Sequence, residues 1–160
     1  MNTNPIRTLV VSILVMMAVI CLSVSLWGCK DDPKPRQTET QRVTKLLTAN
    51  GGTWSPSGAA AITADGIDVT QELFAGFSIT FSENTFTTTG TSPVWLRQDT
   101  WSFKDETATV IVRGQDSKEI TIVSISDSQL KLTMTWDQTT YEGGRARSLA
   151  GKYELVLRKG

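Results

Sequence analysis

Leu130-Lys131-Leu132-Thr133-Met134-Thr135-Trp136 sets a large apolar residue at every second position and a polar one between. That is the period of a strand with one buried and one wetted face. Working outward, the same alternation returns at Tyr153, Leu155 and Leu157 on the C-terminal side. Upstream it recurs at Ile120 and Ile122, Val110 and Val112, Trp101 and Phe103, and Phe77, Ile79 and Phe81, with Thr85-Phe86-Thr87-Thr88-Thr89 between the last two. Turn chemistry separates the runs: Ser82-Glu83-Asn84, Lys104-Asp105-Glu106, Gly114-Gln115-Asp116-Ser117, Ser126-Asp127-Ser128, and a longer region at Glu142-Gly143-Gly144. With Thr53-Trp54 and a weak segment at Ile67–Val69, the chain carries about eight short strands. No stretch is long enough for a crossover helix, so a parallel sheet is excluded and an antiparallel meander remains. Short hairpins between successive strands favour an all-β, small up-and-down β-barrel; a β-sandwich is the alternative. Ahead of the strands, Val43, Leu46 and Leu47 stand at helical spacing and end at Asn50-Gly51-Gly52, which predicts a short N-terminal helix.

The chain has 160 residues, 16 Lys and Arg against 16 Asp and Glu, and no His. Without imidazole there is no Ser-His-Asp or Cys-His nucleophile and no His-built zinc site. A formal charge of zero argues against nucleic-acid binding, which needs clustered cations. Asp65 with Asp68, or Asp105 with Glu106, could form a carboxylate pair of the glycosidase kind. Both pairs lie in turn-like sequence that favours aspartate for backbone reasons, and Asp65-Gly66-Ile67-Asp68 is too short for a calcium loop. The reading is therefore non-enzymatic, with no metal and no cofactor.

Leu9–Leu26 is nearly all apolar and long enough to cross much of a bilayer as a helix, so by itself it suits either a secretory signal or a permanent anchor. Leu26, Gly28 and Cys29, followed at once by polar sequence, resemble a bacterial lipobox, although Trp27 is bulkier than the pattern's usual residue. The resemblance implies cleavage between Gly28 and Cys29 and acylation of the Cys29 thiol. The organisation expected is a signal peptide over 1–28, an acylated tether over 29–41 and a β-domain over 42–160. Loss of Cys21 with the signal would leave Cys29 as the mature chain's sole cysteine, so no disulfide is available to the domain. Acyl chains on Cys29 exceed the two hydrophobic signals that stable anchoring takes. Lys30–Gln41, with two prolines and no large apolar residue, reads as an extended spacer. Lys30, Asp31 and Asp32 resemble the charged cluster beside the acylated cysteine that routes Bacteroidota lipoproteins to the cell surface. That implies an outer-membrane protein displayed outside; retention on the periplasmic face is the alternative.

Over Thr44–Lys159 the chain is similar to the lipocalin-like lipoproteins of Bacteroidota. The residues that carry the likeness are Leu46-Leu47 with Gly52-Thr53-Trp54, the Gly76–Phe81 and Thr100–Phe103 strands, Ile120–Leu132, and Gly151-Lys152-Tyr153-Glu154-Leu155. Gly52-Thr53-Trp54 resembles the Gly-X-Trp opening of lipocalins, which implies an indole closing one barrel end against the preceding helix. The domain is shorter than a transport lipocalin and lacks a second lipocalin motif, so the likeness bears on fold more than on ligand transport.

Candidate contact residues are aromatic. Trp54, Trp101 and Trp136 stand in or at the ends of strands and read as core or barrel-end plugs, with Trp101 and Trp136 retained as candidate ligand contacts. Ser92-Pro93-Val94-Trp95-Leu96-Arg97 lies in a connection, where Trp95 and Arg97 would form an exposed contact patch unless the loop folds back over the barrel mouth. Asp99, Arg113, Asp116 and Glu119 are expected to be solvated strand ends. Two functions follow. One is a binding module for a small apolar ligand or a cell-envelope partner, protein or glycan. The other is an accessory lipoprotein of an outer-membrane complex, with a filled barrel and no small ligand.

Overall fold

The computed structural model describes residues 36–142 and 145–160. Leu26, Gly28, Cys29, Lys30, Asp31 and Asp32, which carry the expected cleavage, acylation and export signals, lie outside the described residues. No helix among the described residues is long and apolar enough to cross a membrane.

In chain order the strands are β1 (Thr53–Pro56), β2 (Ile62–Ala64), β3 (Ile67–Asp68), β4 (Ser78–Phe81), β5 (Thr85–Thr89) and β6 (Gln98–Phe103). They continue with β7 (Val110–Arg113), β8 (Glu119–Ile125), β9 (Gln129–Trp136), β10 (Thr140–Glu142), β11 (Arg145–Ser148) and β12 (Gly151–Lys159). Each of β4 to β8 pairs antiparallel with the next, β9 pairs with β12, and β1 joins β12 to β4. The ladder is closed by eight strands, which removes its edges and decides for the barrel over the sandwich. The opening heptapeptide sits in β9 in the expected register, with Leu132 facing Leu155 and Met134 facing Tyr153 on β12.

Alternation sends Trp54, Ile79, Phe81, Phe86, Ile111, Ile120, Ile122, Leu130, Leu132, Leu155 and Leu157 into one continuous core. A helix, α1 (Glu39–Thr48), buries Val43 and Leu47 against the end of the barrel where β1 begins and β12 finishes. Its start lies earlier than the spacer reading placed it. Thr38 accepts from the Gln41 backbone N–H at 3.2 Å and donates its own backbone N–H to the Gln41 side chain at 3.1 Å, a capping box that draws Glu39–Gln41 into the first turn. The Trp54 indole donates to the Leu47 carbonyl at 3.0 Å, while the Lys159 ammonium lies 4.3 Å from the centre of the Trp54 ring and donates to the Leu46 carbonyl. Gly52 makes this junction possible. Its φ is 65°, and a Cβ there would stand 2.1 Å from the Phe81 carbonyl oxygen.

Three features of the path differ from the sequence reading. Ile62–Ala64 is a strand, pairing with the half of β12 that β1 leaves free. Residues 57–61 therefore interrupt the run of chain paired alongside β12, because Pro56 faces Leu157 and Ile62 already faces Leu155. The segment read as Ile67–Val69 contributes only β3, which pairs with β2 outside the closed ladder through the Asp65-Gly66 turn, both at positive φ. In the region read as a longer turn, β10 and β11 pair as a separate hairpin. The periodic signal was weak in all three because each segment is only two to four residues long.

Candidate binding surface

The end of the barrel opposite α1 is closed by side chains from connections. A short helix, α2 (Thr70–Leu73), leads to Phe74, which meets Phe77 and Tyr153 edge-on at ring-centre distances of 5.4 and 6.0 Å. From the β5–β6 connection Trp95 enters the barrel and meets Phe86 edge-on at 5.4 Å. Trp95 is only 5% exposed and Val94 is buried beside it, so the expected exposed patch is corrected: the loop folds back over the mouth. Apolar area decides this outcome, since an indole left in water forgoes a core contact that its loop is long enough to reach. Arg97 stays exposed and does not join Trp95 in a shared surface. Trp101 is buried at the other end, donating to the carbonyls of Ser82 and Thr85 at 3.1 Å each and fastening the β4–β5 turn. Trp136 lies half-buried at the open-loop rim, with the Lys118 ammonium 5.4 Å from its ring centre. The four candidate contact residues thus do not converge on one site.

Two charges expected in solvent are interior. Arg113 is 1% exposed. Its Nη1 donates to the Val94 carbonyl at 2.7 Å, its Nε and Nη2 grip the Asp116 carboxylate, and its guanidinium lies 5.7 Å from the centre of the Trp95 ring. Asp99, 8% exposed, accepts the backbone N–H groups of Thr100 at 2.7 Å and Gln115 at 3.1 Å. Both residues occupy inward positions of their strands, facing the same way as Trp101 and Ile111, and their partners make burial tolerable. The signal was present in the sequence: the alternation that puts Trp101 inside also puts Asp99 inside. Asp116 and Glu119 are exposed, as expected. Burial pushes the Asp116 carboxyl upward, but the Arg113 guanidinium and the Lys118 backbone N–H outweigh it and hold the group below its ordinary value.

The barrel's interior is filled. Trp54, Ile79, Ile111, Ile120, Leu130, Leu132, Tyr153, Leu155 and Leu157 retain no accessible surface at all. A void of ligand size would admit water, and its lining side chains would keep surface in contact with it. Recesses occur instead on the outside. One, of about 400 Å³, runs over β8 and β9 beneath the β7–β8 turn and is lined by Asp116, Lys118, Glu119, Asp137 and Lys152 among hydroxyl residues. Its charges are largely paired, Lys118 with Asp137 at 3.0 Å and Lys104 with Glu119 at 2.7 Å. Another, of about 590 Å³, lies over β5 and β6 and is lined by Thr85, Thr87, Gln98, Thr100, Gly114 and Gln115, with Phe86 and Asp99 at its base.

The two halves of the outer wall differ in chemistry. Outward positions on β1, β4, β5 and β6 are Thr53, Ser55, Ser78, Thr80, Thr85, Thr87, Thr89, Gln98, Thr100 and Ser102, none of them charged. On β8, β9 and β12 the corresponding positions include Glu119, Lys131, Lys152, Glu154 and Arg158. The hydroxyl face was legible as Thr85-Phe86-Thr87-Thr88-Thr89, but threonine's preference for strands drew attention to its structural role alone. Among the described residues, no three of His, Cys, Asp and Glu gather to hold a metal ion. Comparison of the chain with protein-family models, curated proteins and solved structures finds no match in any of the three.

Proposed function

We propose that the protein is a lipid-anchored, non-enzymatic binding module of the bacterial outer membrane that contacts a cell-envelope partner with the outside of its barrel. Leu26, Gly28 and Cys29 supply the anchoring signal, and Lys30-Asp31-Asp32 directs the protein to the cell surface. One observation carries the mode of binding: the inward side chains are buried, and those at the centre of the barrel, among them Ile79, Ile111, Leu132 and Leu155, are 0% exposed, which leaves a small apolar molecule little room to enter. An eight-stranded barrel can be filled by side chains or hold one small ligand, and the burial of its central residues favours the first. The chain enters the domain through α1, whose packing closes one end and leaves the loop-bearing end and the outer wall for contact.

Mass spectrometry of the membrane fraction tests the anchor and is expected to find an N-terminus at acylated Cys29. An intact Met1 or a free thiol there overturns it. Titration with a fluorescent fatty acid tests the mode of binding and is expected to show no saturable signal. Stoichiometric binding would return the function to the barrel interior.

A further inference from the structure

The recess over β5 and β6 is a built feature. Gly114 lets the β7–β8 turn press onto β6, since a Cβ there would stand 2.0 Å from the Thr100 hydroxyl oxygen. The turn is then pinned: the Gln115 backbone N–H donates to Asp99, and the Gln115 amide donates to the Gln98 carbonyl at 3.3 Å. Gln115 thereby forms a wall beside a floor of threonine hydroxyls, bounding an open recess of about 590 Å³, within the ~300–1,000 Å³ of small-molecule sites. Among the lining residues only Asp99 is ionisable, and both of its carboxylate oxygens already accept backbone N–H groups.

Chemistry narrows the occupant. A cation or anion entering the recess would shed water without meeting a free counter-charge. An apolar molecule would cover hydroxyls and leave them without partners. Hydroxyl and amide groups both donate and accept, so a neutral molecule dense in hydroxyls exchanges its bonds to water for bonds to Thr85, Thr87, Thr100, Gln98 and Gln115. We propose that this recess binds a neutral oligosaccharide of the cell envelope or its surroundings. The proposal rests on the outer-wall reading above and names its partner class.

The test uses the full acylated chain in an amine-oxide detergent, which carries no sugar headgroup, on an array of neutral oligosaccharides with sulfated and uronic-acid glycans alongside. Saturable binding of neutral glycans is expected. It should weaken at least tenfold in a Thr85→Val, Thr87→Val double variant that keeps the shape of two exposed side chains, and stay unchanged in Lys131→Ala on the charged half of the wall. A thermal unfolding curve matching the parent establishes that the double variant folds. Silence on every neutral glycan, retention confined to the anionic ones, or equal binding by the double variant each overturns the proposal. None of these results bears on the acylation of Cys29, which mass spectrometry decides separately.

Discussion

Replacing Trp95 separates a plugged barrel from one whose β5–β6 loop offers a sticky patch. Truncating a core tryptophan to alanine costs ~3–5 kcal/mol. Trp95 also carries an indole N–H that is buried without a partner among the described residues, and removing such a group relieves roughly 1 kcal/mol. Trp95→Ala should therefore cost ~2–4 kcal/mol, read as a lower urea midpoint at unchanged slope. Trp95→Phe keeps a ring against Phe86 and discards the orphan N–H, so its change should stay within about 1 kcal/mol of the parent. Trp101 provides the reference. Its N–H is bonded to two carbonyls, so Trp101→Ala gains no such relief and should cost the full ~3–5 kcal/mol. A loss under ~1 kcal/mol for Trp95→Ala would refute the plug, because an exposed side chain has little packing to lose. The patch of Trp95 with Arg97 would then stand again as the contact surface.

Gly52→Ala should destabilise by more than 2 kcal/mol, on the order expected when a left-handed φ and a backbone clash coincide, and circular dichroism during urea unfolding would show it. Asp116, whose folded carboxyl titrates below its unfolded value, lends stability that is complete above about pH 4 and is lost as pH falls through the folded value. The midpoint of the parent should thus fall more steeply below pH 4 than that of Asp116→Asn, and parallel acid profiles would remove the Arg113 grip as its cause. Replacing Lys30, Asp31 and Asp32 with alanine should leave Cys29 acylated while abolishing protease access in whole cells; unchanged access refutes the export signal.

Period-two alternation made most of the barrel legible, because β4, β8, β9 and β12 each carry two or three inward apolar residues in succession, and β5 and β6 carry at least one large aromatic among theirs. It failed where strands were too short to repeat, at β2, β3, β10 and β11. On β7 it was read on the wrong face, since Ile111 rather than Val110 and Val112 turns inward, and at Asp99 it was set aside because of the residue's charge. Arg113 and Asp99 stand at inward positions, yet charge suggested solvent, and only the tertiary structure supplies the Val94 carbonyl, Asp116 and the Gln115 N–H that satisfy them. Trp95 belongs to the same class, since a loop residue's destination depends on where the loop's two ends are held. Here Thr88 donates its backbone N–H to the Arg97 carbonyl and its hydroxyl to the Leu96 carbonyl, while Thr91 donates to Ala75. The recess over β5 and β6 needs Gly114 and Gln115 from a distant turn, so no local stretch of sequence encodes it.

Size and sealing together leave the outside of the wall as the surface that the barrel offers for contact. Most barrel strands here are four to eight residues long, so each gives only a few inward positions, and the barrel has room for only a few layers of side chains. Phe81, Phe86, Trp101 and Met134 are too large to leave a gap in those layers, and Trp54 and Trp95 enter from the two ends. Opening a cavity would need several of these residues to shrink at once, at ~2–5 kcal/mol each, which approaches or exceeds the 5–15 kcal/mol that holds a domain of this size together. The outward positions carry no such cost. On β4, β5 and β6 threonine and serine satisfy strand propensity and water equally well, so these positions are free to vary without unfolding the barrel. A charge-free surface extending over four neighbouring strands is therefore where recognition can be built without loss of the fold, and the Gly114 turn gives that surface a recess over β5 and β6.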